Sequence, residues 1–248
     1  MSLIARALER FQYYASYWSA WAAFTLGWGY RRGGWRHCPE TGPLLIVSNH
    51  QSFIDPLFIG LAASRPLTYL ARSSLFKNRL FAAVIRSWGA VPIDRGYGRE
   101  GLQTVLDQLA LGRAVLMFPE GERTHDGTVQ EMKAGITLIL KKTDAVILPC
   151  GVAGAFAVWP RTAKRPKPAP PFLADNGGSI GVSFGEPLPP GFYKGMDRDA
   201  ILTDLRARIT AAHEDAERIR RKPPHAGAAS GSGLTAGGGA GPSPNFTA

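Results

Sequence analysis

Residues 44–56 have the sequence LLIVSNHQSFIDP, which predicts a buried strand, a turn and the start of a helix. The apolar run 44–47 is typical of a short buried strand. Pro56 disfavours helical geometry at the residue before it and suits the first position of a new helix. Asp55 is therefore expected near the N-cap of a helix that begins at Pro56, and residues 49–55 are predicted to form a strand-to-helix turn.

His50 and Asp55 lie five positions apart in this turn. On a continuous helix, side chains at that offset point about 140° apart around the axis and do not share a face. A turn can instead bring the carboxylate back to the ring, where it would orient the imidazole, fix its tautomer and stabilise the imidazolium form. The alternative is that His50 is an ordinary turn histidine and Asp55 only a cap. These residues alone do not separate the two interpretations.

After residue 44, short apolar runs alternate with amphipathic segments. Strands are predicted at residues 44–48, 67–71, 90–93, 114–118, 145–151 and 180–184. Helices are predicted at residues 56–63, 78–87, 99–111, 134–142 and 197–221. This order predicts an α/β fold, in which helices flank a mostly parallel sheet and ligands bind beyond the carboxyl ends of the strands.

The chain of 248 residues is predicted to have three parts. Residues 1–36 are expected to form an N-terminal membrane-associating helical segment, and residues 37–222 the α/β domain. Between the N-terminal helix and the first predicted strand, residues 31–43 are rich in Gly, Arg and Pro and are expected to be a linker. Residues 160–171 are predicted to be a basic surface loop. Residues 223–248 contain mainly Gly, Ala, Ser and Pro without apolar periodicity, which predicts a disordered tail.

The N-terminal segment is rich in aromatic residues, and its residues 11–30 carry no formal charge. Most of the aromatic side chains fall on one helical stripe, and Trp and Tyr rings prefer the headgroup boundary of a membrane. Arginines flank the stretch on both sides, so no charge asymmetry sets an orientation across a bilayer. We therefore expect an interfacial or half-inserted helix. The alternative is an ordinary helix that packs on the domain, since a stripe of large side chains usually faces a core.

The formal net charge is +10 and the isoelectric point is about 9.9. Such an excess favours anionic partners, namely phosphate-bearing substrates, an acidic membrane surface or nucleic acid. Nucleic acid is the least favoured, because the basic residues are scattered and the aromatic ones lie in an apolar helix. The two cysteines, Cys38 and Cys150, are too few for a disulfide framework or a metal cluster, so a reduced cytosolic compartment is expected.

Charged residues follow two more predicted strands. Arg95 lies just past the strand at residues 90–93, and its guanidinium group offers a fork of donors that suits phosphate. Taken alone, Arg95 would more often be an ordinary surface residue. Lys133 and Gly135, further along the chain, add one more possible phosphate contact.

Residues 118–123, with the sequence FPEGER, follow the other strand. Pro119 ends strand pairing, and Gly121 allows a tight turn or the close approach of a ligand. Glu120 and Arg123 can then face the same volume, where Glu120 could accept a hydrogen bond from a substrate hydroxyl or orient an arginine. The alternative is a salt-bridged loop.

Four motifs now stand in order along the chain: Asn49-His50-x-Ser52-x-x-Asp55, Asp94-Arg95, Phe118-Pro119-Glu120-Gly121-x-Arg123 and Leu148-Pro149. Together they resemble the ordered motifs of the glycerolipid acyltransferase family, whose best-known members are the 1-acylglycerol-3-phosphate acyltransferases. The resemblance covers roughly residues 44–153. Two positions depart from the family pattern, because Glu122 stands where a small or hydroxyl residue is common and Pro92 where a bulky residue is more usual.

The resemblance implies an O-acyltransferase of phospholipid biosynthesis. It would move a fatty acyl group from acyl-CoA or acyl-carrier protein to a hydroxyl of lysophosphatidic acid or a related lysophospholipid. His50 would be the general base, Asp55 would orient it, and no acyl-enzyme would form. Backbone N–H groups in the turn after His50, or at the helix start near Pro56, are candidates for stabilising charge on the carbonyl oxygen. The residues implied in substrate binding are Asn49, Ser52, Arg95, Phe118, Pro119, Glu120, Gly121 and Arg123.

The same resemblance implies partners and a location. The expected partners are a lysophospholipid acceptor, an acyl thioester donor and an anionic membrane surface, but not nucleic acid. The expected location is the cytoplasmic face of the cell membrane, as a peripheral or monotopic protein. No cofactor is expected besides the thioester co-substrate, and the sequence has no His/Cys cluster with the spacing of metal ligands.

Two other functions fit parts of the sequence. Residues 177–181, GGSIG, match the Gly-x-Ser-x-Gly elbow of serine esterases. The elbow should follow a strand and open a helix, whereas here a predicted strand follows, so a Gly-rich turn is the better interpretation. The second alternative is a non-catalytic basic module that docks on anionic lipid, in which the motif residues would be dispensable.

Overall fold

The computed structural model of the protein describes residues 3–63, 65–93, 98–172 and 177–220, with the backbone alone for residues 3–13 and 99. Two sequence predictions lie outside this part of the chain. They are the phosphate contact of Arg95 and the disordered tail at residues 223–248.

The described residues form seven strands and seven helices. The strands are β1 (Arg31–Gly33), β2 (Leu44–Ser48), β3 (Leu67–Arg72), β4 (Ala90–Ile93), β5 (Ala114–Met117), β6 (Val146–Ala153) and β7 (Gly181–Phe184). The helices are α1 (Leu3–Trp28), α2 (Asp55–Ala62), α3 (Arg79–Ser87), α4 (Arg99–Ala110), α5 (Ile136–Lys142), α6 (Ala155–Val158) and α7 (Arg198–Ile219). Two short 3-10 turns lie at Trp35–His37 and Ser73–Phe76.

The strands belong to one sheet with the order β1-β7-β6-β2-β5-β3-β4. The β6–β7 pair is antiparallel, and the other neighbouring pairs are parallel. The predicted α/β fold, a mostly parallel sheet flanked by helices, is therefore confirmed. β2 lies at the centre of the sheet, and all of its residues are buried because helices cover both faces.

Alternate residues of β2 point into two cores, one on each face of the sheet. Leu44 and Ile46 join the core to which α1, α2, α3 and α6 contribute. Leu45 and Val47 join the core to which α4, α5 and α7 contribute. Because β2, β3, β5 and β6 run in the same direction, their carboxyl ends meet at one edge, where a site is expected.

The prediction of a linker at residues 31–43 is wrong for its first part. Arg31–Gly33 form the edge strand β1, which pairs in parallel with β7, and a 3-10 turn follows at Trp35–His37. A three-residue strand that contains two arginines has no apolar periodicity. Its pairing is decided by the open edge of β7 rather than by local preference, and periodicity could not have predicted it.

Helix α1 packs one side against the domain and leaves another side exposed. The hydroxyl of Tyr17 donates a hydrogen bond of 2.8 Å to the carbonyl of Leu61. The ring centroid of Phe24 lies 4.9 Å from that of Phe58 in α2, whereas Trp18 is exposed. No helix in the described part of the chain combines the length and the apolar character needed to cross a membrane.

Candidate active site

The turn after β2 brings His50 and Asp55 together. Nδ1 of His50 lies 2.8 Å from Oδ2 of Asp55. The His50 side chain is 19% exposed, whereas Asp55 is fully buried. Helix α2 begins at Asp55, one residue earlier than predicted, and Pro56 lies in its first turn. The turn thus allows the contact between His50 and Asp55, which lie too far apart around the axis of a continuous helix to meet at this spacing.

Asp55 also holds the backbone of the turn. Its Oδ2 accepts hydrogen bonds from the backbone N–H groups of Gln51, at 2.6 Å, and Ser52, at 2.7 Å. With Nδ1–H donated to this carboxylate, the lone pair of neutral His50 is left on Nε2. Asp55 therefore caps the turn and also orients the imidazole. The sequence had left open whether it was a cap or an orienting carboxylate, and the structure gives it both roles.

These and other contacts occupy several of the backbone N–H groups that were candidates for binding a substrate oxygen. The first two N–H groups after His50 donate to Asp55. Those of Leu57 and Phe58, at the start of α2, donate to the carbonyl of Ile54 at 3.0 and 3.3 Å. These four donors have partners inside the protein, and an oxyanion contact from the remaining N–H groups of the turn stays a prediction.

Phe118 packs flat against the ring of His50. The two ring centroids lie 3.9 Å apart, and the planes are inclined by 14°. β5 is the neighbour of β2 in the sheet, with Met117 paired to Val47, so the residues that follow these strands meet at the same edge. Stacking on one side and the carboxylate contact at Nδ1 together restrict the imidazole to one orientation.

Glu120 is buried against the backbone of His50. Its Oε1 accepts the His50 N–H at 3.3 Å, and its Oε2 has no hydrogen-bond partner within the described ranges. Burial raises the pKa of Glu120 to about 8, although hydrogen bonds from the backbone of His50 and Gln130 lower it. At neutral pH this carboxyl group is therefore largely protonated. Its hydrogen bond to the backbone of His50 helps to hold the turn in place.

Asn49 and Ser52 are buried, and both bind backbone groups of the protein. The side chain of Asn49 accepts from the N–H of Val152 at 2.8 Å and donates to its carbonyl at 2.9 Å, which extends the pairing of β2 with β6. The hydroxyl of Ser52 donates to the carbonyl of Trp159 at 2.8 Å. These hydrogen bonds fix the turn on the sheet and on the segment after α6.

Arg123 is half-buried near two arginines that the motifs do not include, Arg72 and Arg161. Burial lowers the pKa of the Arg123 guanidinium group; the charges of Arg161 and Arg72 lower it further. The carboxylate of Asp55 raises it. Arg161 donates to the carbonyl of Arg123 at 3.5 Å and to the carboxylate of Glu122 at 3.4 Å. The charges of Arg72 and Arg161 thus add to that of Arg123, and the carboxylate of Glu122 offsets part of the charge of Arg161.

A cavity of about 270 Å³ opens beside residues 118–123. It is lined by Leu102, Met117, Phe118, Pro119, Gly121, Lys133, Gly135 and Ile136. The lining is mostly apolar, and Lys133 is its basic member. Gly121 has a φ of 78°, and a Cβ atom at this position would lie 3.1 Å from Cγ of Lys133, so the loop requires glycine here.

Residues 32–153 match the family model described as Acyltransferase. These residues form a domain of the acyltransferase family. The resemblance inferred from the four motifs is thereby confirmed, and the matched residues include β2 to β6 and the whole turn that carries His50.

Several curated proteins are similar to this member of the acyltransferase family. A chloroplastic 1-acyl-sn-glycerol-3-phosphate acyltransferase of Arabidopsis thaliana is 25% identical over 170 residues, which are 67% of this chain and 44% of the relative. A 1-acyl-sn-glycerol-3-phosphate acyltransferase of Streptococcus pneumoniae is 25% identical over 162 residues, 64% of this chain and 55% of the relative. The chain thus spans about half the length of these two relatives. A lyso-ornithine lipid O-acyltransferase of Pseudomonas aeruginosa is 26% identical over 185 residues, 68% of this chain and 67% of the relative.

A solved structure shares the fold of this acyltransferase-family chain. The crystal structure of the 1-acyl-sn-glycerophosphate acyltransferase from Thermotoga maritima superimposes with a TM-score of 0.72 at 20% sequence identity. The match covers 90% of this chain and 86% of the other. The α/β architecture with helices on both faces of the sheet is therefore common to both proteins.

The sequence predicted the central pair of the site, His50 and Asp55. It did not single out Arg72 and Arg161, whose charges act on Arg123. Arg72 is the last residue of β3, so the same strand-end rule that singled out Arg95 could have found it. Arg161 lies in the predicted basic loop, and only the tertiary structure brings it to Arg123. The Gly-rich turn at residues 177–181 leads into β7 and opens no helix, which confirms the interpretation against an esterase elbow.

Proposed function

We propose that this acyltransferase-family chain transfers a fatty acyl group from acyl-CoA or acyl-carrier protein to a hydroxyl of lysophosphatidic acid or a related lysophospholipid. The observation that carries the proposal is the 2.8 Å contact between Nδ1 of His50 and Oδ2 of Asp55. An alcohol is a poor nucleophile until a positioned base removes its proton, and a partly exposed imidazole with an oriented lone pair is such a base.

The proposed reaction needs one base and no acyl-enzyme. Nε2 of His50 takes the proton of the acceptor hydroxyl while the oxygen attacks the thioester carbonyl carbon. The new C–O bond forms, the C–S bond breaks, and the imidazolium returns its proton to the leaving thiolate. The products are the ester and a free thiol. The carboxylate of Asp55 stabilises the imidazolium. The thioester is the co-substrate, and the proposal includes no cofactor.

The charge of the site supports an acceptor that carries phosphate. Arg161 lies beside Arg123, the charge of Arg72 also acts on Arg123, and guanidinium groups match phosphate oxygens well. Arg95 is a further predicted phosphate contact. The mostly apolar cavity, with Lys133 in its lining, is suited to an apolar portion of a substrate.

Three residues implied in substrate binding take a different role in this proposal. Asn49, Ser52 and Glu120 are buried, and their hydrogen bonds run to the backbone of the protein. We assign them to positioning the turn that carries His50. Phe118 belongs with them through its contact with the His50 ring. Pro119 and Gly121 line the cavity and remain candidates for substrate contact.

The experiment that tests the proposal compares His50→Ala with the purified full-length protein in detergent. Release of free thiol from an acyl thioester and formation of the acylated lipid are both measured. General base catalysis contributes about 10²–10⁴-fold, so the variant should lose at least that much rate while keeping its thermal unfolding profile. His37→Ala is the matched control, because His37 binds the carbonyls of Phe184 and Gly185 away from the turn. A folded His50→Ala protein that still transfers acyl groups at the original rate would refute the base assignment.

The same assay defines the acceptor. A panel should include lysophosphatidic acid, a lysophospholipid with a zwitterionic head group and a lyso-ornithine lipid, since proteins similar to this chain are named for acceptors of more than one kind. The arginine cluster predicts the highest rate with lysophosphatidic acid. Both acyl substrates are lipidic, so we place the protein at the cytoplasmic surface of the cell membrane.

A further inference from the structure

Helix α3 has an apolar face that no part of the described protein covers. Leu80 and Val84 are 82% and 58% exposed. They lie four positions apart and therefore share one face. Ala82 is buried on the domain side, about 200° around the helix axis from Val84. Phe81, also exposed, widens the outward face. Exposed apolar side chains that share one helix face are candidates for an interaction surface.

Positive charge lies beside this face, at the start of α3, and the neighbouring sequence does not balance it. Residues 56–93 contain five Lys and Arg residues and no Asp or Glu. Three of the five, Lys77, Arg79 and Arg86, are exposed on α3 or next to it. None of them takes part in an ion pair with another residue that the structure describes. The guanidinium of Arg86 instead lies 5.0 Å from the ring centroid of Phe76.

Helix α3 lies on the same face of the sheet as the aromatic helix α1. Ile85 at the inner side of α3 packs into the core to which Trp21 of α1 also contributes. Tyr17 of α1 and Trp88 at the end of α3 line one groove. The exposed rings of α1, including Trp18, and the apolar face of α3 therefore belong to the same side of the molecule.

We propose that α3 is a bilayer-contacting helix. Its side chains Leu80, Phe81 and Val84 enter the acyl region of an anionic membrane, and Lys77 and Arg79 bind the lipid phosphates. A convex row of apolar side chains flanked by cations is the pattern of interfacial helices, which need a fluid apolar phase rather than a shaped pocket. This contact does not depend on the reaction proposed above, because none of these side chains belongs to the His50 site.

The contact also has a consequence for access to the site. The 3-10 turn at Ser73–Phe76 joins α3 directly to the carboxyl end of β3, where Arg72 contributes to the charge around Arg123. A membrane on α3 would therefore lie next to the edge of the sheet at which the anionic acceptor is proposed to bind. A lipid head group could then reach the arginines without crossing open water.

The first test measures insertion at a single position. Cys38 and Cys150 are buried, so a Leu80→Cys variant of the full chain can be labelled with a polarity-sensitive fluorophore at residue 80. Vesicles of phosphatidylglycerol and phosphatidylcholine should shift its emission to the blue and raise its intensity severalfold, and a quencher attached to the lipid tails should reverse the rise. Leu138→Cys is the matched control, because Leu138 is 55% exposed on α5, which packs on the opposite face of the sheet.

Two outcomes of this experiment would overturn the proposal. One is an unchanged signal at residue 80 while flotation shows the labelled protein bound to the vesicles. The other is a signal that responds to an acidic soluble protein, such as acyl-carrier protein, and not to vesicles, which would make α3 a protein-docking surface.

The second test measures the contribution of charge. A basic residue near an anionic bilayer strengthens binding by about fivefold, so Lys77→Gln with Arg79→Gln should weaken binding to phosphatidylglycerol vesicles by roughly 25-fold. Binding to pure phosphatidylcholine should not change. Lys141→Gln with Lys142→Gln on α5 removes the same charge from the other face and should leave vesicle binding within about twofold of the original. If both double variants lost the same amount of vesicle binding, the effect would come from net charge alone. That result would refute a specific contact of α3 with the membrane. Flotation needs no enzyme activity, so its result is independent of the His50→Ala result.

Discussion

At the scale of single residues, one oxygen atom organises the site. Oδ2 of Asp55 accepts from the ring of His50 and from the backbone N–H groups of Gln51 and Ser52, all within 2.8 Å. The same charge therefore shapes the turn and orients the base. Any change to this carboxylate should alter both the stability of the protein and the rate of the proposed reaction.

Asp55→Asn tests this double role because it keeps the size of the side chain and removes its charge. We expect kcat to fall by about 10²–10⁴-fold, since an amide can no longer stabilise the imidazolium. We also expect the free energy of unfolding to fall by about 1–3 kcal/mol as charge-assisted hydrogen bonds are lost. Steady-state kinetics and urea unfolding measure the two effects. Asp107→Asn, on the surface of α4, should change neither, and an Asp55→Asn protein with normal kcat would contradict the assigned role.

Glu120 should make the stability of the protein depend on pH. Burial raises its pKa in the folded state to about 8, above its value in the unfolded chain. Its stabilising contribution is therefore complete below the unfolded pKa of about 4.3 and is lost as the pH rises through the folded pKa. Glu120→Gln, which resembles the protonated side chain, should not show this loss.

We therefore expect the free energy of unfolding of Glu120→Gln to increase relative to the unaltered protein between about pH 5 and about pH 8.5. Urea unfolding at several pH values measures the difference, in which the titration of all other groups cancels. If plots of the free energy of unfolding against pH stayed parallel for the two proteins across this range, Glu120 would have an ordinary pKa and the prediction would be wrong.

At the scale of elements, glycine has opposite effects in the loop and in the helix that border the site. Gly121 has a φ of 78°, a region that costs other residues energy. Gly60 lies inside α2, and a Cβ atom there would have no neighbour within 4 Å. The first glycine is required by the backbone of the loop at residues 118–123, whereas the second only weakens its helix.

Gly121→Ala and Gly60→Ala should therefore change stability in opposite directions. We expect Gly121→Ala to lower the free energy of unfolding by about 1–2 kcal/mol and Gly60→Ala to raise it by about 0.5–1 kcal/mol. Thermal and urea unfolding of both variants provide the comparison. Two changes of the same sign would mean that local backbone preference does not decide these positions.

At the scale of the whole molecule, α7 packs on β6 and β7 almost without intervening side chains. A Cβ atom at Gly151 would overlap the backbone of Ala212 and His213, and one at Gly181 would overlap the carbonyl oxygen of Ala216. This close approach lets α7 cover one end of the sheet. The strand β6 that it supports also holds the turn of His50 through Asn49.

Gly151→Ala should destabilise the whole domain by about 3 kcal/mol or more, because neither backbone can move without disturbing the sheet. Gly185→Ala is the matched control, since a Cβ atom there would lie at an ordinary distance of 3.6 Å from Cβ of Pro149. Calorimetry should show a large drop in Tm for the first variant and a small change for the second. A normal Tm for Gly151→Ala would show that α7 can shift away from the sheet at little cost.

Much of the fold was predictable because local patterns and tertiary structure agree. The apolar runs of β2 and β5 and the periodicity of α4 and α7 come from elements that bury the same residues in any α/β arrangement. β1 was not predictable, since its three residues carry no pattern and depend on a neighbour that lies about 150 positions away. The partners of the backbone N–H groups in the turn after His50 were not predictable either, because they depend on where the turn places the carboxylate of Asp55.

The sequence by itself determined that the chain is an α/β protein of the acyltransferase family and that His50 and Asp55 could form a pair. These conclusions need only periodicity, proline chemistry and the order of motifs along the chain. The tertiary structure alone decided that Asn49, Ser52 and Glu120 are buried behind the turn and that Arg161 lies beside Arg123. The physical reason is that burial and proximity depend on the packing of distant strands and helices, which no local pattern encodes.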